Sequence, residues 1–375
     1  MINDISRFIL SALSVSSLIF LTNVTTIHAA APAADAAPAA AQPTDNPLAA
    51  KVRRVLDNYF THPLDARTET PWSIVHWIIA FGVDAELKTS VTPSGRASAI
   101  GWLCVNNPCN GQQLVADRGS SFELPIAPGV QGHDGQFLGA LAQSRVKSDY
   151  IFRLGKRDLT VADLIEYEKQ SCRTGIELTF KLIALCHYEG TDAKWKNNRG
   201  EEWSVARLLH EELNQPINAY ETCGGLHRLF AISYAADCRE AEGQPLTGDW
   251  QAAREKAHRY QRRAFELQNA DGSFSTAWLD RSEQRSDVTR RLTTSGHVLE
   301  WLANSLPEDQ LHDSKFERAI DFIATTLDGK QGTSLHRGAM GHSLHSLVIY
   351  EQRALGAKPG DRTARLAPTI ADANN

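Results

Sequence analysis

Histidines and acids recur along this chain at spacings that a helix turns into a shared face. Trp72 and His76, Arg173 and Glu177, Cys223 and His227, His297 and Glu300, and His342 and His345 stand three or four residues apart, so on a helix each pair points in one direction. His133 and Asp134 add a sixth polar group. Three chemistries suit these residue types. Glu177, Glu300 or Asp134, with His297 or His227 beside them, are the acid and base of a hydrolase or lyase acting on a glycan or peptide. His227, His297 and His342, with Cys172 or Cys223, are zinc ligands, although they come from separate segments and no spacing motif unites them. In the third reading there is no reaction, and a cavity lined by His76, His133, Cys172, Arg173, Cys223, His342 and His345 holds a ligand or partner. A lone histidine on an apolar helix is ordinarily a core residue bonded to a backbone carbonyl. Five of the thirteen histidines gather near the starts of apolar segments, more clustering than packing requires. A carboxylate buried alone loses several kcal/mol of solvation, so Glu177 and Glu300 need partners, and Arg173 and His297 are the nearest in sequence.

The segments that carry these groups alternate in kind. Leu48–Phe60, Asp158–Gln170, Glu202–Leu213, Asp249–Leu267 and Ser314–Leu327 have apolar residues on one face only, and Thr160 with Asp163 has capping-box spacing. These are outer helices. Trp72–Gly82, Gly135–Gln143, Gly175–Tyr188, Gly225–Ala236, Gly296–Leu306 and Gly341–Tyr350 are apolar nearly all round, as helices buried on every side are. Such an order predicts an all-α fold, an α/α toroid of about six inner helices wrapped by outer ones. Parallel inner helices would collect the polar groups at one end of a cavity, where helix N-termini favour an anionic or strongly hydrogen-bonding ligand. Two stretches break the alternation. Residues 84–131, rich in Gly and Pro, read as a β-hairpin or irregular insertion, and Asn269–Arg291 reads as a second insertion.

The phrase YQRRAFELQNADGSFSTAW resembles the Q-x-x-D-G-S-[FW] repeat of the squalene/hopene cyclase and protein prenyltransferase β-subunit superfamily. The motif is present once, and the helix alternation extends the likeness, at the level of fold, to roughly residues 48–352. The resemblance implies that Gln268 caps neighbouring backbone and that Phe274 packs on the outer shell. It implies no chemistry, because the D-x-D-D, D-D-x-x-D and D-x-C motifs of those enzymes are missing. Cys223 in TCGGLHRL is similar to the thioester cysteine of macroglobulin-type domains, but Leu226 stands where the bond needs glutamine. Lanthionine-synthetase cyclases bind zinc with two cysteines and a histidine on such a ring; Cys172, Cys223 and one histidine resemble that set, without its C-H-G motif. The chain also resembles exported bacterial toroids of unassigned activity through GGLHRL, TSGHVLEWL and GHSLHSL.

Composition narrows partners and compartment. With 42% apolar and 22% charged residues the chain is an ordinary globular one, and a net charge of −5 offers no basic footprint for nucleic acid. Residues 1–31 read as an export signal: Arg7 precedes an apolar run from Phe8 to Val24 and small residues follow at Ala29–Ala31. Retained, the same run would be an N-terminal membrane anchor. An Ala/Pro-rich linker over 32–47 and a flexible tail over 356–375 flank a domain at 48–355, which places the protein in the periplasm or outside the cell. Six cysteines in an exported chain suggest disulfides. The turn in WLCVNNPCNG favours a Cys104–Cys109 bridge, with Cys172–Cys223 and Cys186–Cys238 as further pairs. Trp195, in the connection DAKWKNNRGEEW, is a candidate for stacking on sugar.

Overall fold

Short-range signals account for most element boundaries. The structure, a computed structural model, describes residues 46–372 and the side chains of residues 46–367. The expected export signal and nearly all of the linker lie outside the described residues. In chain order the helices are α1 (Pro47–Thr61), α2 (Pro71–Phe81), α3 (Ala99–Cys104), α4 (Gln136–Gln143), α5 (Val161–Gln170), α6 (Thr179–Glu189), α7 (Val205–Leu213), α8 (Leu226–Ala241), α9 (Asp249–Glu266), α10 (Val288–Ser305), α11 (Ser314–Leu327), α12 (Arg337–Arg353) and α13 (Asp361–Asp372). Four antiparallel hairpins punctuate them: β1 (Glu86–Lys88) with β2 (Arg96–Ser98), β3 (Ala116–Asp117) with β4 (Phe122–Glu123), β5 (Ile151–Leu154) with β6 (Arg157–Thr160), and β7 (Lys194–Lys196) with β8 (Glu202–Ser204). The fold is all-α. No helix among the described residues is long and apolar enough to cross a membrane.

Caps explain the starts. The Asn46 side chain accepts from the N–H groups of Leu48 and Ala49, and Pro47 occupies the first helical position, so the supposed linker already ends in a helix start. Thr160 and Asp163 form the expected capping box, and Ser204 caps α7. Those same residues end strands, so Asp158–Thr160 and Glu202–Ser204 are extended rather than helical. Residues 84–131 hold the two hairpins β1–β2 and β3–β4, with α3 between them, as the hairpin reading anticipated.

The six apolar helices pack as a closed cycle of neighbours: α2 on α4, α4 on α6, α6 on α8, α8 on α10, α10 on α12, and α12 back on α2. The one-faced helices cover them, α1 and α11 on α12, α5 and α7 on α6, and α9 on α8. Two glycines set how closely the inner helices meet. A Cβ on Gly296 would lie 2.6 Å from Ser343 Oγ and 3.0 Å from its backbone nitrogen, and one on Gly341 would lie 2.7 Å from both Cβ and O of His76. Backbone therefore touches backbone where α10, α12 and α2 cross, and little space remains between them.

Several expectations are corrected. The tail is not unstructured: α13 anchors to the body through Arg362, which pairs with Asp57 and Glu351, and through Arg365, 2.5 Å from Asp57. Charge pairing to the outer face of the fold supplies what the apolar content of that segment does not. Helix α10 begins at Val288, inside the expected insertion, where Asp287 caps it by accepting from the Arg290 N–H. The six cysteines are free thiols, so the Cys104–Cys109, Cys172–Cys223 and Cys186–Cys238 bridges are absent. Cys104 closes the last turn of α3 inside the core, while the Cys109 thiol faces the Asn107 carbonyl. Trp195 is buried on β7, its indole N–H donating to the Lys169 carbonyl at 3.0 Å, and presents no face to a sugar. Gln268 donates to the carbonyls of Gly272 (3.1 Å) and Lys315 (2.8 Å), the capping role expected of it, and Phe274 is buried beside Phe265.

Candidate metal centre

Five imidazoles from five elements converge. His227 is in the first turn of α8, entered through Gly224, whose positive φ and lack of a Cβ let the chain pass against the Trp278 ring. His297 is in the middle of α10, His342 on α12, His76 on α2, and His133 in the turn before α4. Ring centroids are 5.1 Å apart for His227–His297, 5.3 Å for His227–His342 and 3.7 Å for His297–His342. His76 lies 5.2 Å from His342, and His133 lies 4.7 Å from His227. One ring nitrogen from each of His227, His297 and His342 falls within 4.8 Å of the other two, and all three residues are buried.

The outer nitrogens of these rings are tied down. His297 Nδ1–H donates to the Thr293 carbonyl at 2.7 Å, and His76 Nδ1–H to the Trp72 carbonyl at 2.7 Å, each one helical turn back. Glu300 accepts from two neighbours on α12, His342 Nδ1 at 2.7 Å on one oxygen and His345 Nδ1 at 2.6 Å on the other. These bonds fix Nδ1 as the protonated nitrogen and leave Nε2 of His297 and His342 with a lone pair. Neither nitrogen of His227 has a partner, although both are buried. Buried polar groups are almost always paired, so an orphaned imidazole next to two aimed lone pairs asks for something that accepts electron pairs.

Electrostatics favour neutral imidazoles at His76, His227 and His297 and an ionised carboxyl at Glu300. Burial, together with neighbouring His342 and His227, holds His76 and His297 well below the ordinary imidazole range, and burial lowers His227. Burial pushes the Glu300 carboxyl up, but the imidazoles of His342 and His345 outweigh it and keep the group ionised well below the usual range. Glu177 behaves likewise: burial raises it and His133, at 2.8 Å, brings it down. Both carboxylates therefore have the partners that burial demands, but not those nearest in sequence. His297 does not pair with Glu300.

Other predicted residues leave the cluster. Residues 175–178 are a turn rather than the start of α6, so Arg173 and Glu177 share no helix face. Arg173 instead donates to the carbonyls of Gln170 and Cys172 and to Asn198. Asp134 lies 3.2 Å from Lys181 Nζ, whose other partners are the buried Glu168 and, at 2.6 Å, Ser171. The Cys172 thiol donates to the Glu168 carbonyl at 3.3 Å, on that same side of α6. Cys223 is buried ahead of α8 with its sulfur against the N–H groups of Gly225 and His227, and it is not among the three grouped ligands. Because His297 and Glu300 stand in mid-helix, the expected ring of helix N-termini aimed at an anion does not form around them. The hollow beside the cluster, between Ile79, Phe180, Ile183 and Phe230, is about 10 Å³, room for a single water rather than a glycan. Sequence reasoning did not anticipate Lys181, a cation on an all-apolar helix, although its position on α6 was itself a signal that a buried acid lies opposite.

No protein-family model, curated protein or solved structure matches this chain.

Proposed function

We propose that the chain is an α/α toroid built around a mononuclear transition-metal centre, with zinc the best-suited ion, held by Nε2 of His297 and His342 and by a ring nitrogen of His227. The observation that carries the reading is the buried, unpartnered His227 imidazole beside two rings whose Nδ1 atoms are already committed. Neutral imidazole is the ligating form, and a carboxylate or carbonyl behind each ligand is the usual way such a ring is oriented. Around a tetrahedral ion, ring centroids sit about 5 Å apart and ligand nitrogens about 3.4 Å apart. The two distances from His227 fit this, and the His297–His342 pair would open on binding.

Three protein ligands leave a fourth position, the arrangement of catalytic rather than structural zinc. His133, oriented by Glu177 and more accessible than the ligands, adjoins His227 and would serve as the base of a hydrolysis. A glycan or peptide would approach from that side, since the inner hollow admits no more than water. Export to the periplasm or beyond stays part of the proposal; N-terminal sequencing of the mature protein tests it.

The centre is tested by metal analysis of protein purified without added metal, followed by cobalt titration of the chelated form. About one equivalent of bound metal is expected. Tetrahedral cobalt absorption should disappear in His227→Ala, while Glu300→Gln should weaken affinity roughly 10–100-fold. Trace metal only, together with no cobalt binding by the wild-type chain, refutes the reading.

A further inference from the structure

A second cavity lies toward the C-terminal ends of the inner helices, apart from His76, His227, His297 and His342 but with His345, the second partner of Glu300, on its wall. It measures about 910 Å³, within the range of small-molecule sites, and is lined by the C-terminal ends of α2, α4 and α12 together with α13. Six cations and four carboxylates face it, an excess of positive charge. Most of the acids are already engaged: Glu351 with Arg362, Asp84 with the Gly360 N–H, and Asp361 with the Lys358 N–H. Arg353 is spent on the carbonyls that end α10, and Arg365 on Asp57. The side chains of Arg145 and Lys358 have no such partner among the described residues, and Arg53 reaches Glu351 only at 3.8 Å.

Arg145 sits where the backbone would prefer another residue. Helix α4 ends in a Schellman turn, Arg145 N–H donating to the Ala142 carbonyl and Val146 N–H to that of Leu141, so Arg145 takes the left-handed position with φ +55°. Glycine or asparagine belongs there, because a Cβ is strained at such an angle. Its charge also reaches α6: after burial, Arg145 is what lowers the His187 imidazole. A strained residue whose guanidinium is unspent and faces a cavity is the pattern of a ligand clamp.

We infer that this cavity binds a small organic oxyanion, a phosphate ester or carboxylate, with Arg145 as its principal contact and Lys358 and Arg53 in support. The site shares no ligand residue with the proposed metal centre, so each stands or falls alone.

Binding is tested on the full chain by calorimetry and thermal shift with inorganic phosphate and with succinate, against sodium chloride at matched ionic strength, with and without chelator. Saturable binding at millimolar concentration or tighter is expected for at least one probe, and the stronger probe identifies the group preferred. Arg145→Gly should weaken that binding at least about tenfold while leaving the ligand-free melting temperature equal or higher, since glycine suits the turn. Lys358→Ala should weaken it less. A chloride response equal to that of the probes, wild-type affinity in Arg145→Gly, or a lowered melting temperature in that variant without ligand overturns the inference; the last outcome would make Arg145 structural.

Discussion

Acidification should destabilise this protein well before its carboxylates are protonated. His76, His227 and His297 are buried, and burial keeps all three below the ordinary value, reinforced at His76 and His297 by neighbouring imidazoles and opposed at His227 by Glu177 and Glu300. In the unfolded chain each takes up its proton near pH 6.5, whereas in the folded chain each resists until lower pH. Below about pH 6.5 the unfolded state therefore binds more protons, and stability falls as pH falls, by about 1.4 kcal/mol per pH unit for each excluded proton. His76 and His297, the two held well below, together approach a slope of about 3 kcal/mol per unit near pH 5, and His227 adds in the same direction, against a total of roughly 5–15 kcal/mol for a typical domain. His187, His258 and His336, also lowered by burial, act in the same direction. Glu177 and Glu300, held below the usual carboxylate value, add acid sensitivity only below about pH 4.3, so the interval from about 6.5 to 5 reports on histidine. Urea midpoints of chelated protein, measured across that interval, give the slope, and His76→Gln should reduce it by about one proton's worth. A midpoint that is flat or rises on acidification would refute the argument, because it would mean that the imidazoles are already charged, or solvated, in the fold.

Two further outcomes concern the frame that holds the cluster. Lys181→Met leaves Glu168 buried without its cation and should cost about 3–5 kcal/mol in chemical denaturation, most of it recovered in Lys181→Met/Glu168→Leu; equal losses in the single and double variants would show that the pair is not coupled. Gly341→Ala drives a Cβ to 2.7 Å from His76 and should cost about 1–3 kcal/mol, whereas Gly101→Ala, with nothing nearer than 3.4 Å, should be neutral or stabilising; equal effects of the two on thermal unfolding would deny the close crossing of α12 and α2.

Local pattern carried the reading of this chain as far as local physics reaches. The one-faced run that became α11, the Thr160–Asp163 box that starts α5 and the Gln268 cap were legible because they depend on residues within a few positions of one another. So was the presence of six helices apolar all round, since a helix with no polar face has to be enclosed. For the buried carboxylates such reasoning chose partners on the same segment, and the fold supplies others from elsewhere in the chain. Glu300 pairs with His342 and His345 on the next helix rather than with His297 on its own, Glu177 pairs with His133 rather than Arg173, and Asp134 goes to Lys181. Those choices depend on the rotation and height of one helix against another, set here by glycine crossings such as Gly296 on Ser343 and Gly341 on His76. The types of residue able to bind a metal were thus determined by the chain alone. His227, His297 and His342 were already grouped on residue type, but that they face one another without either cysteine, the outer nitrogens of two spoken for and the third imidazole left wanting, was decided by packing, because close contact between backbones fixes side-chain direction in a way that no periodicity along one segment can encode.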